Sequence, residues 1–287
     1  MIRSNTTLVD TTGPQKSPYG ILSPATTLKE LSDSSVAGFT YAISDAGVVV
    51  KTSAIAGDGG FDTNTVVDNS NNAATAATYY PFDIQATIKT STMGTHPEEV
   101  MESARNALDM VAQKAIESEF WHGTVAKQLK ADNDNRYLSR DAAFDVTPVK
   151  GTAVKVRYGQ ALLEEALGES TLGSVGVIHA PRLIASVLQA SDSDGGLRTN
   201  LGTHVVAGSG YSHIGPDGVL APTGEAWMYA TGPVTVHLGG INITPDKMNQ
   251  SVDPRNNTVE YYVDRPAAVT WSTSELYAVL VDLTLDY

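Results

Sequence analysis

Residues 95–123, THPEEVMESARNALDMVAQKAIESEFWHG, read as one uninterrupted helix, and its length limits what this chain can fold into more than any other feature does. Thr95 is placed to cap the amides that follow, Glu98 completes a capping box, and Pro97 stands in the first turn, where no intrahelical donor is lost. Val100, Ala104, Ala107, Leu108, Val111, Ala115 and Ile116 recur at three- and four-residue spacing, with Ala112 and Phe120 widening the stripe. Glu102, Arg105, Asp109, Lys114 and Glu117 occupy the other faces, so one side is expected to be buried and the rest wet or paired. Gly123 supplies a left-handed stop. About 27 helical residues at roughly 1.5 Å each make a rod of about 40 Å, against a usual length of roughly 10–14 residues. Such a rod outruns a compact domain.

The chain around it has 287 residues, 41% of them apolar, which is enough to bury a sizeable core and fits two subdomains better than one. No stretch approaches the roughly 18 uninterrupted apolar residues of a membrane span, and the opening MIRSNTTLVDTTGPQKSPYG lacks the apolar centre of a signal peptide. The expectation is a soluble protein made and kept in the cytosol. With no cysteine, disulfides and thiolate metal sites are excluded, and stability must come from packing and association. A formal net charge of −13 argues against a surface that grips nucleic acid by counterion release, while local contact with DNA stays compatible with it. An aromatic share of only 7%, with abundant Ala, Thr, Gly and Val, suits arms and edges better than a deep ligand pocket.

Residues 1–24 are polar and broken by Gly13, Pro14, Pro18, Gly20 and Pro24, so neither helical nor strand periodicity is sustained. Ile2, Leu8, Val9, Tyr19, Ile21 and Leu22 are too many apolar anchors for a solvating tail, and the segment reads as an extended arm lying on a neighbour. Thr26 or Thr27 then caps a short helical turn through LKEL. Residues 38–80 read as strand, tight turn at the glycine cluster 57–60, and strand. The return leg and the following DNSNNAATAATYY hold too few large apolar groups for a core, so this ribbon is expected to project and to lie on something else.

Phe82, Ile84, Ala86 and Ile88 alternate with Asp83, Gln85, Thr87 and Lys89, the period of a half-buried strand that feeds into the long helix. Residues 132–135, DNDN, lack the Gly and terminal Glu of an EF-hand and read as a solvated turn. Residues 152–167 give a second helix with Val154, Tyr158, Ala161, Leu162 and Leu163 inward, and VGVIH at 175–179 a short buried strand. PRLIASVLQA at 181–190 gives a third helix with Leu183, Ile184, Val187 and Leu188 on one face. Residues 191–218 read as two loops flanking a short strand, and from Ala226 the chain is strand after strand, most economically one antiparallel sheet. The fold class is α+β, with the chain ends expected to meet at the long helix.

No acid, base and nucleophile set stands out, so no catalytic, cofactor-binding or metal-ligating residue is assigned and the protein is not expected to be an enzyme. The six histidines, at positions 96, 122, 179, 204, 213 and 237, show neither HExxH nor paired spacing on one helix. Gly208, Ser209 and Gly210 follow Ala207 and so miss the G-x-S-x-G of a nucleophile elbow. No Lys with Ser or Thr follows at phosphate-loop spacing, which leaves a glycine-rich turn.

Taken in order, YPFDIQATIKTS running into ALDMVAQKAIESEFWHG, then GVIHAPRLIASVL, GEAWMYATGPVTV and RPAAVTWSTSELYAVLVDL span nearly the whole chain. They resemble the major capsid proteins of tailed bacteriophages with the Hong Kong 97-type fold, especially those of phages of actinobacteria. The shared stretches are packing patterns rather than chemical signatures. The resemblance implies an N-terminal arm and short helix over 1–37 and an extended β-hairpin, the E-loop, over 38–80. It further implies a peripheral domain over 81–151 with its spine helix at 96–122, an axial domain over 152–252, and return strands to the peripheral domain over 253–287.

The same resemblance implies a structural subunit of an icosahedral head, with copies of itself as partners in pentamers and hexamers. These would enclose double-stranded DNA without sequence-specific binding. Portal, scaffold or decoration proteins are further partners it allows. No membrane or cofactor is implied, and the location is the virion, after assembly in the host bacterial cytoplasm. Some relatives weld the hairpin to a neighbour through a Lys to Asn isopeptide bond. Lys51 lies in this hairpin, but no partner Asn and catalytic Glu match by motif, so Lys51 reads as an edge-strand charge that blocks misassociation. No large N-terminal scaffolding domain is expected before the arm, which leaves open whether a separate scaffold is used or a longer precursor was never present. An encapsulin-type nanocompartment shell is the alternative with the same fold. Encapsulins open with an amphipathic helix, which the Pro and Gly breaks of residues 1–24 oppose. A hydrolase built on residues 208–215 is the remaining reading, and it would run as a small oligomer with measurable turnover.

Overall fold

The computed structural model describes residues 16–43, 75–91, 97–125, 135–169, 175–245, 252–253, 255–273 and 275–284. The cap at Thr95, Lys51, the glycine turn at 57–60 and residues 132–134 lie outside them. Helix α1 runs Pro97–His122, 26 residues, and stops where Gly123 takes φ +64°, a conformation open to glycine at little steric cost.

Two sheets share this helix. The six-stranded sheet contains β1 (Thr27–Glu30), β4 (Phe82–Ser91), β12 (Val234–Leu238), β13 (Asn242–Thr244), β14 (Val252–Asp253) and β15 (Thr258–Trp271). The eight-stranded sheet contains β5 (Phe144–Asp145), β6 (Val154–Lys155), β7 (Val177–Pro181), β8 (Ala190–Ser193), β9 (Gly196–Thr199), β10 (His204–Gly208), β11 (Glu225–Thr231) and β16 (Leu276–Asp282). Strands β2 (Phe39–Ile43) and β3 (Thr75–Tyr79) form a sheet of two. Helices α2 (Val156–Glu169) and α3 (Arg182–Ala185) belong to the eight-stranded half, where α2 packs on β16 and β11 and α3 on β7 and β10.

Helix α1 lies on β4 and β15, which pair along ten residues from Phe82↔Ala267 to Ser91↔Thr258. Val100, Ala104, Leu108, Ala112, Ile116 and Phe120 are buried, a four-residue repeat. Each step of four overshoots one turn by about 40°, so the stripe winds around the helix. Two assignments change as a result. Val111, expected inside, is 47% exposed, and Glu117, expected on a wet face, is fully buried. Over the last three turns Gln113, Glu117, Glu119, Phe120 and Trp121 are all buried, because this end of the helix is enclosed on several sides. Leu108→Ala is expected to cost about 2–5 kcal/mol, read as a lowered denaturation midpoint. An unchanged melting temperature would contradict this helix face.

The inward face of α2 is Val156, Gly159, Gln160, Leu163, Ala166 and Leu167. Tyr158, expected inside, is 54% exposed. The helix starts later than the spacing predicts because Val154 and Lys155 pair with β16 as β6. Gly159 lets the helix approach the sheet, since a Cβ there would collide with Val281. The third helix shrinks to the single turn α3 and leaves Leu183 exposed. The Gln160 side-chain amide takes both backbone groups of Gln189, at 2.9 and 3.2 Å, and the chain then turns through Asp194 and Gly195 into the hairpin β8–β9.

The terminal strands do not form one sheet. Strands β12 and β13 pair with β15, whereas β11 pairs with β16. The chain crosses between sheets twice at one corner, where the Gly232 N–H donates to Thr273 Oγ1 at 3.2 Å and a Cβ on Gly232 would collide with Thr273. Sheet membership therefore changes at Gly232 and near Thr273.

Candidate functional site

Among the described residues, no group of three His, Asp or Glu side chains is placed to hold a metal ion, and no helix is long and apolar enough to cross a membrane. The candidate site is the junction where hairpin, arm and helix are fixed to the body.

The hairpin stalk is built from the register Phe39↔Tyr79 to Ile43↔Thr75. The Phe39 ring lies 6.0 Å from Tyr79 and 4.9 Å from His237 of β12, which ties the stalk to the six-stranded sheet. Asn135 extends the ladder with a side chain: its Oδ1 accepts the Tyr80 N–H at 2.7 Å and its Nδ2 donates to the Tyr80 carbonyl at 2.8 Å. Asn135 is thus a buried brace, where the sequence suggests a solvated turn. The ends of the 44–74 excursion are held side by side.

From residue 16 onward the arm lies on its own chain. The Tyr19 carbonyl accepts the Ala207 N–H at 2.7 Å, and the Tyr19 hydroxyl donates to Asp192 at 3.0 Å. Ile21 is fully buried in the core that α1 shares with both sheets. LKEL forms no helical turn. Its Leu28, Lys29 and Glu30 belong to β1, parallel to β12 from Thr27↔Thr235 to Glu30↔Leu238, because sheet pairing outweighs the marginal stability of so short a helix. The arm therefore straps the two sheets together.

Glu117 receives that strap. Its Oε1 accepts the Ile21 N–H at 3.0 Å, and its Oε2 accepts the Gly210 N–H at 2.8 Å and the Ser209 hydroxyl at 3.2 Å. Burial pushes its pKa up, and the hydrogen bonds from Gly210, Ile21 and Ser209 pull against that rise. Ser209 acts here as a donor to a structural carboxylate, and Ser209 and Gly210 form the bend that follows Gly208, the last residue of β10. No spacing rule singles out Glu117, since its three partners come from distant segments.

Beyond this loop Tyr211 reaches the centre of the eight-stranded sheet. His179 Nδ1 lies 3.0 Å from the Tyr211 hydroxyl and Nε2 3.0 Å from Thr231 Oγ1. The Thr231 hydroxyl donates to the Gly232 carbonyl at 2.9 Å, so it accepts from His179 Nε2–H, and Nδ1 accepts from Tyr211. Burial lowers the His179 pKa to about 3. An unfolded histidine takes up its proton near pH 6.5. The contribution of this group is thus complete above that pH and is lost progressively as pH falls toward 3, at about 1.4 kcal/mol per unit. His179→Gln should flatten the fall of stability between pH 6 and 4, measured by denaturant titration, whatever its effect at pH 7. An unaltered slope would contradict the neutral buried ring.

No protein-family model matches the sequence, and no curated protein matches it. Solved structures do. The capsid of Ralstonia phage GP4 aligns with a TM-score of 0.57 at 10% identity, covering 99% of this chain and 97% of that one. The holo-SrpI encapsulin complex of Synechococcus elongatus aligns at 0.54 and 11% identity, covering 98% and 95%. The capsid of an empty GTA particle aligns at 0.53 and 13% identity, covering 95% and 100%. The chain has the Hong Kong 97-type fold over nearly its whole length.

Proposed function

We propose that this chain is the structural subunit of an icosahedral phage head, self-assembling into pentamers and hexamers that enclose double-stranded DNA. The observation that carries the reading is the end-to-end match to a phage capsid, 99% of this chain against 97% of that one. In this reading residues 1–37 are the arm, residues 38–80 the E-loop, residues 81–151 the peripheral domain with α1 as its spine helix, residues 152–252 the axial domain, and residues 253–287 the strands that return to the peripheral domain. Partners are copies of the same chain, with portal, scaffold or decoration proteins in addition and DNA held without sequence readout. The location is the virion, after assembly in the host bacterial cytoplasm. The chain acts as a structural element and not as an enzyme. Interfaces that are weak singly become strong when symmetry repeats them, because each subunit is held by several neighbours at high effective concentration.

An encapsulin-type shell is the second reading, since an encapsulin shares the fold. Against it, the Pro and Gly breaks of residues 1–24 oppose the amphipathic helix with which encapsulins open, and the described part of that stretch, residues 16–24, forms turns. The contents of particles purified from an infected host separate the two. Nuclease-protected double-stranded DNA is expected, and a stoichiometric protein cargo without DNA would favour the nanocompartment.

A further inference from the structure

We infer that Glu117 is a latch through which docking of the arm and the conformation of the loop at Ser209 and Gly210 control each other. One carboxylate serves both: Oε1 holds the arm at Ile21, and Oε2 holds the loop at Ser209 and Gly210. Both backbones are pressed against the helix. A Cβ on Gly20 would collide with the ends of the Gln113 and Glu117 side chains, and one on Gly210 would collide with the Lys114 carbonyl and the Glu117 Cβ. A shift of either segment toward the helix therefore meets the Glu117 side chain to which the other segment is bonded.

The loop then passes the signal inward. Tyr211 packs 4.7 Å from the Trp121 ring and hydrogen-bonds His179 on β7, so a change at the latch reaches the middle of the eight-stranded sheet. At its other end the strap is fixed to the six-stranded sheet through β1. The latch thus joins the two halves through one continuous segment of the arm. Coupling of this kind is reciprocal, so loosening either side must loosen the other. In the shell reading, an arm drawn off by a neighbour would be registered in the axial half, but the coupling itself rests on the geometry of one chain.

Residue-resolved hydrogen exchange on the full chain tests this with Gly20→Ala, Ser209→Ala and Glu117→Gln, while sedimentation reads particle formation separately. Gly20→Ala is expected to speed exchange of the Gly210 amide about fivefold or more, and Ser209→Ala to speed that of Ile21 comparably. Glu117→Gln should speed both and leave amides in the middle of β10 unchanged. If Gly20→Ala does not fold, the near-isosteric Glu117→Gln and the mild Ser209→Ala carry the test. Acceleration confined to the mutated side, or spread uniformly over α1 and β10, would overturn the latch. Neither result depends on whether particles form, so the shell proposal and the latch fail separately.

Discussion

Without residues 54–64 the subunit is expected to fold and to form no closed particles. The stalk that holds this excursion lies outside the deletion: β2 and β3 keep their register, Phe39 keeps Tyr79 and His237, and Asn135 keeps Tyr80. Shortening a loop lowers the entropy cost of closing it, so the free subunit should melt close to the parent temperature. Assembly is another matter, because an interaction deleted from one subunit disappears at every symmetry-related position of the shell. Sedimentation and circular dichroism on the same sample check both halves. Normal particles from the deletion would contradict the overlap role of the hairpin, and an unfolded subunit would contradict the independence of the stalk.

Trp121→Ala should give the largest loss of stability of any single substitution considered, about 3–5 kcal/mol, a large part of the roughly 5–15 kcal/mol that holds a domain together. The side chain is fully buried at the end of α1, with its ring 4.7 Å from Tyr211 and 4.9 Å from Tyr229. Its Nε1–H donates to the Ile214 carbonyl at 2.9 Å. The substitution therefore opens a cavity where α1, the 208–214 loop and β11 meet, and leaves a buried carbonyl without that donor. Trp121→Phe keeps much of the packing and loses the hydrogen bond, which should cost about 1 kcal/mol for the bond itself. Urea titration orders the two variants. Equal stabilities for Trp121→Ala and the parent would mean that the helix end is not a packing centre.

What the sequence makes legible here follows the reach of its signals. Spacing along α1 reveals the helix, its glycine stop and most of its buried stripe, because these are local. It fails at Val111, which the winding four-residue stripe leaves exposed, and at Glu117, where burial is decided by the arm and by residues 209–210 arriving from elsewhere in the chain. LKEL has the composition of a helical turn, and only β12, some two hundred residues later, makes it a strand. PRLIASVLQA carries a helical pattern, yet Gln160 takes the backbone of Gln189 and the hairpin β8–β9 takes the rest. Alternation reveals the terminal strands but not their partners, so one sheet is the economical reading and two are found. The arm is legible as an arm. That its described part straps its own body follows from Ile21, Tyr19 and β1, none of which announces a partner in sequence.

Electron microscopy of the protein purified under native conditions tests the central claim most directly. Closed shells of uniform diameter are predicted, with five-fold and six-fold clusters of subunits and the 38–80 hairpin of each copy lying across its neighbour. A monodisperse monomer, with residues 44–74 packed on the chain that carries them, would contradict it.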